Sequence, residues 1–133
     1  LSAAIKAMQE LPDEKKPKQV LGCEVWRDLD WMPDQDKVLL DVSDRENLAN
    51  ALVSIFDSQI TGGKRYDRAA VGRRYANATF FHADGRDKSE QLTFAMDLTP
   101  VIYDNSIKFC DYVMEYLDKF KSEVKNNIEH FFK

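Results

Sequence analysis

Cysteine is scarce in this chain: two residues in 133, Cys23 near one end and Cys110 near the other. Two isolated thiols make no disulfide framework and form no C-x-x-C pair, so covalent staples are excluded as the organising device. That usage leans towards a reducing, cytoplasmic compartment. The chain opens on Leu1 rather than Met, which leaves a removed signal peptide open. Histidine is equally rare, with His82 and His130 alone. They show no H-x-x-x-H spacing and stand near no cysteine pair, so neither a metal centre nor a cofactor is expected. Glycine and proline are too few, at five and four, for a collagen period or a low-complexity tract, and no 20–50-residue repeat occurs. No uninterrupted apolar run approaches 18 residues, which excludes a membrane-spanning helix. Positive charge is also in deficit: 19 Lys and Arg stand against 23 Asp and Glu, a net −4. Such a balance suits general nucleic-acid binding poorly, because phosphate binding needs a broad positive face.

Recognisable chemistry is lacking as well. His82-Ala83-Asp84 has the residues of an acid–base pair and would make the chain a hydrolase, but no nucleophile with an orienting partner accompanies it. The cluster Asp28, Asp30, Asp34 and Asp36 fails the calcium-loop pattern, with no glycine at the sixth position and Leu39 where a bidentate glutamate belongs. Gly62-Gly63-Lys64 is no phosphate loop, since Ser58 replaces the leading glycine and Arg65 follows the lysine. Asn77-Ala78-Thr79 fits a glycosylation acceptor, meaningful only in a eukaryotic secretory protein. The chain therefore reads as non-catalytic.

What is present is hydrophobic patterning, at a length typical of one domain spanning 1–133. Residues 1–11 read as a short helix capped by Ser2 and stopped by Pro12. Residues 19–27 and 37–42 read as strands, with an Asp-rich turn between them. Ser43-Asp44-Arg45-Glu46 matches a capping box, and Leu48, Leu52, Ile55, Phe56 and Ile60 then recur at three and four, a helix over 43–60 closed by Gly62-Gly63. Residues 74–82 and 90–98 read as a β-hairpin about Asp84-Gly85, with Leu92, Phe94, Met96 and Leu98 inward and Gln91, Thr93 and Asp97 outward. Thr99-Pro100 opens a last helix over 100–132, threonine as cap and proline at the first helical position.

That last helix would be about 48 Å long at ~1.5 Å per residue, longer than a domain of this size is wide. Beyond Phe120 its apolar face narrows to a coiled-coil-like seam, Val124, Ile128 and Phe131, flanked by charge. These residues either fold back on helix 1–11 or meet a second subunit, and the length favours a homodimer. Trp26, Trp31, Phe80 and Phe81 form a second aromatic set. Core filling is their ordinary role, but apolar residues on both faces of a strand would leave one face for a partner. A third feature is basic: Lys64, Arg65, Arg68, Arg73 and Arg74 against Asp67 alone, interleaved with Tyr66 and Tyr75. Arginine could fork a phosphate there while tyrosine stacks on a base; a solvated loop offsetting the acidic surface is the plainer reading.

The expected order of helix, strand, strand, capped helix, strand pair and C-terminal helix resembles the class I chaperones of type III secretion and the related bacterial sensory domains. The resemblance covers nearly the whole chain in element order and composition, and no residue motif carries it. It implies a dimer whose central antiparallel sheet is flanked by helices and whose apolar patches hold an extended client. The sequence thus predicts an α+β fold, an antiparallel sheet of four or five strands under helices 43–60 and 100–132. It predicts a protein-binding module, a chaperone, adaptor or inhibitor of a partner, acting through Trp26, Trp31, Phe80, Phe81, Phe120, Val124, Ile128 and Phe131. A regulator binding an anionic ligand or nucleic acid at 64–74 is the alternative.

Overall fold

A computed structural model of the chain describes residues 1–24 and 27–132. Its elements run α1 (Ser2–Gln9), β1 (Leu21–Cys23), β2 (Val38–Asp41), α2 (Glu46–Ile55), α3 (Tyr66–Ala83), β3 (Leu92–Asp97), α4 (Thr99–Tyr103) and α5 (Phe109–Phe131). Single turns of 3₁₀ helix stand at Asp13–Lys15, Asp34–Asp36 and Asp57–Gln59. The fold is α+β, and among the described residues its sheet has three strands in the order β1-β3-β2. Strands β1 and β3 pair antiparallel, Leu21 with Asp97, Gly22 with Met96 and Cys23 with Ala95. As the middle strand, β3 is buried on both faces: Leu92, Phe94, Ala95 and Met96 are all buried, and so is Gln91 just before it, which the alternation placed outward.

The expected sheet of four or five strands is thus corrected to three, because the first arm of the expected hairpin is helical. Residues 74–82 lie inside α3, an 18-residue helix. Ala69, Ala70, Ala76, Ala78 and Ala83, with Arg68, Arg73 and Arg74, make the segment rich in strong helix formers. Asn77, Ala78 and Phe81 are its buried residues, adjacent and three or four apart as a helix face requires and a strand does not.

Two compact units divide the chain: Leu1–Val38 with Ala95–Lys133, and Leu39–Phe94. In the first, α1 packs on α4. Ile5, Val101 and Ile102 are buried together, with Met8, Val20, Ile107, Phe109 and Tyr112 packed against them. Ser2 does not cap α1, whose N-cap is Leu1. Nor does Thr99 cap the last helix: its hydroxyl accepts from the Val20 N–H at 3.0 Å, while its own N–H donates to Asp97 Oδ1 at 2.9 Å. The expected helix over 100–132 is broken into α4 and α5. Asp104 Oδ1 accepts from both the N–H and the hydroxyl of Ser106, at 2.8 and 2.6 Å, a side-chain turn that competes with the helical ladder. Lys108 is then extended, with φ −77° and ψ 131°. At 23 residues, α5 is about 34 Å long.

In the second unit, Phe81 and Phe94 meet with ring centroids 5.0 Å apart, and the Asn77 side-chain amide donates to the Leu92 carbonyl at 3.1 Å. The capping box is not formed. Ser43 turns its hydroxyl away to accept from the Glu90 and Gln91 N–H groups, both at 3.0 Å, and helix α2 starts at Glu46 behind Arg45, which is left-handed at φ 68°. Helix α2 also stops at Ile55, short of the expected 60. Gly62 and Gly63, at φ 65° and 81°, supply the turn into α3.

Candidate interaction surfaces

The spacing of α5 divides it into two parts. Up to Phe120 its apolar side is half-buried at Phe109, Tyr112, Val113, Tyr116, Leu117 and Phe120. The Tyr112 hydroxyl donates to the Asp97 carbonyl at 2.9 Å and lies 3.1 Å from the Tyr116 hydroxyl. Burial, then that tyrosine contact, pushes the Tyr112 phenol far above its ordinary range. From Lys121 to Phe132 every residue is exposed. The seam expected there is in place and uncovered by its own chain: Val124 is 40% exposed, Ile128 54% and Phe131 82%. Successive 100° steps place Lys121 and Lys125 along one side of this stripe and Glu123 and His130 along the other.

Trp26 lies outside the described residues. Phe80 and Phe81 are neighbours on α3 that face opposite ways: Phe80 is 70% exposed, whereas Phe81 is 4% exposed, with the Arg86 guanidinium 4.0 Å from its ring centroid. Phe81 is therefore a core residue. Trp31 sits in the turn before β2 and donates its indole N–H to Glu24 Oε2 at 3.0 Å; the Leu29 N–H shares that oxygen at 3.2 Å.

Around this carboxylate lies a cavity of about 380 Å³ within the first unit. Leu21 of β1, Met96 and Leu98 of β3 and its exit, and Phe109 and Val113 of α5 supply its apolar wall, with Leu29 and Trp31 closing it. Gly22 lets the two strands approach here: a Cβ on it would stand 2.8 Å from Leu98 Cδ1. Cys23 is also on the wall; partial burial and then the Asp28 carboxylate push its thiol pKa up. Sequence reasoning missed this site, because it depends on a long-range strand pairing and a loop glutamate that no local pattern marks.

A second uncovered apolar stripe lies on the helix that the sequence places against the sheet. Leu48, Leu52, Ile55 and Phe56 along α2 and its end are between 50% and 69% exposed. The helical period was visible, but the period does not say what covers the face.

The basic residues of 64–74 are dispersed. Arg65 is bound to Asp67 through two hydrogen bonds, at 3.0 and 2.6 Å, and this guanidinium holds the Asp67 carboxyl down at about 2. Lys64 lies 6.0 Å from the Tyr66 ring centroid. Arg68, Arg73 and Arg74 follow along α3, where 100° per residue points them in three directions. His82 is exposed in the last turn of α3, and Asp84 pairs with Arg86 at 2.7 Å instead. Among the described residues no group of His, Cys, Asp and Glu could hold a metal ion, and no helix is long and apolar enough to cross a membrane. No protein-family model, curated protein or solved structure matches the chain.

Proposed function

We propose that the protein is a non-catalytic binding module that works as a homodimer through the distal half of α5. The observation that carries this reading is the run from Lys121 to Phe132, exposed throughout, with Val124, Ile128 and Phe131 at helical spacing. Fully burying a side chain of this kind is worth about 1.5–3 kcal/mol, so an uncovered stripe forgoes several kcal/mol that a partner helix recovers. The seam's spacing is that of a coiled coil. Lys125 pairs with Glu129 of its own helix at 3.7 Å, and a second copy laid parallel sets Lys121 of one helix on the side of Glu123 of the other. The dimer is then the platform on which a client protein is held, as a chaperone, adaptor or inhibitor would hold it.

Sedimentation of the purified chain tests the assembly step. The chain is expected to sediment as a dimer at micromolar concentration, and Ile128→Glu, which places a charge in the seam, as a folded monomer. A wild-type chain that remains monomeric at every accessible concentration overturns the reading.

A further inference from the structure

We propose that the cavity between β1, β3 and α5 is a binding site for a small organic amine, with the ligand's protonated nitrogen on Glu24 and its apolar body against Leu21, Leu98 and Phe109. This site lies apart from the distal α5 seam and stands or falls independently of it.

Three observations converge on that class of ligand. The first is size and lining. At about 380 Å³ the cavity lies within the range of small-molecule sites, and its wall is mostly aliphatic and aromatic, as in sites where apolar contact supplies most of the affinity. The second is the carboxylate. Both hydrogen bonds to Glu24, from the Leu29 N–H and the Trp31 indole, go to Oε2. They hold the group in one orientation at the wall, and Oε1 accepts no hydrogen bond among the described residues. A carboxylate oxygen held beside apolar surface is best satisfied by a charged donor, because charge-assisted hydrogen bonds are about twice as strong as neutral ones. The third is the local field. Among the described residues that line the cavity, which include Leu1, Glu24 carries the one charged side chain. A negative field of that kind attracts a cation and repels a carboxylate or phosphate. A neutral apolar molecule would fill the space but leave Oε1 unsatisfied, so the wall selects for the amine.

Calorimetric titration of the full chain with tryptamine tests this, with indole-3-propionate as the anionic probe of the same ring. Tryptamine is expected to bind saturably at one site per chain and to shift the Trp31 indole N–H signal in NMR spectra, and indole-3-propionate to bind at least tenfold more weakly. Glu24→Gln keeps an acceptor oxygen for Leu29 and Trp31 while removing the charge. It is expected to lower tryptamine affinity at least tenfold and leave the far-UV spectrum unchanged. Val113→Trp, which fills the cavity, is expected to abolish binding. No saturation at millimolar tryptamine, equal binding of the two probes by the wild-type chain, or unchanged affinity in Glu24→Gln each overturns the proposal. The comparison of the two probes uses the unmodified chain, so it decides the matter even if a variant fails to fold.

Discussion

Phe80 and Phe81 are adjacent and chemically identical, yet a helical step of 100° sends one into the core and the other into water. Phe81 rests on Phe94 and under Arg86, so Phe81→Ala removes a large buried ring and is expected to cost about 3–5 kcal/mol in urea unfolding. Phe80→Ser is expected to stay within about 0.5 kcal/mol of the wild type, as exposed substitutions do. Equal losses at the two positions would contradict the burial of Phe81 and the exposure of Phe80. The same pair shows what a residue-level reading could and could not supply. That one aromatic faces inward and its neighbour outward follows from a strand as readily as from a helix, so the doublet alone could not choose between them; the alanines around it could. Ser43 carries a related lesson. A serine three residues before a glutamate satisfies the capping-box pattern, but its oxygen serves two backbone donors near β3 instead. A local motif predicts what a side chain can reach nearby, and a distant partner with two unsatisfied donors outweighs it.

Element type was legible where hydrophobic spacing was regular, which holds for α1, β2, the middle of α2, β3 and most of α5, although the caps expected at Ser2, Ser43 and Thr99 do not form. Boundaries were less so. Helix α5 carries three/four spacing right through its junction with α4, and the ladder is interrupted where the Asp104 carboxylate accepts two hydrogen bonds from Ser106 and the backbone is extended at Asp104 and Lys108. Thr79 and the aromatics around it favour a strand over 74–82, while the alanines and arginines of α3 favour helix, and the helix formers prevail. The start of α3 offers a test at this scale. Asp67 lies in its first turn, where a negative charge complements the helix dipole, and its carboxylate accepts both hydrogen bonds from the Arg65 guanidinium. Its carboxyl is expected to titrate near 2, below the ordinary 3.8. A depressed folded-state pKa means that its support for this helix end is present in full above the ordinary value and disappears as pH falls from there towards 2. Carbon-detected NMR titration of the Asp67 carboxyl should show that low midpoint, and Arg65→Gln should move it back up towards 3.8. A wild-type midpoint at the ordinary value would mean that the pair does not persist in solution.

For the whole chain, the exposed apolar stripe of α5 was more legible than the strand count. The run Phe120, Val124, Ile128, Phe131 was identified from spacing alone, and from Lys121 onward the helix is uncovered in its own chain. The apolar stripe of α2 could not be recognised as uncovered, since the same spacing marks a core-facing helix and an exposed one. Ending the chain after Phe120 removes, among the described residues, none that is buried in its own fold, so the shortened protein is expected to melt cooperatively. If the seam holds two copies together, association must also appear in the stability of the full chain. A dimer that dissociates on unfolding gains stability with concentration by mass action, so the full chain's melting temperature should rise by a few degrees across about a hundredfold concentration range. The chain ending at Phe120 should melt at one temperature throughout that range. Calorimetric scans of both proteins at matched concentrations check this. A full-length chain whose melting temperature ignores concentration, at levels where it sediments as a single species of monomer mass, leaves Val124, Ile128 and Phe131 in water and removes the physical basis for assembly through α5.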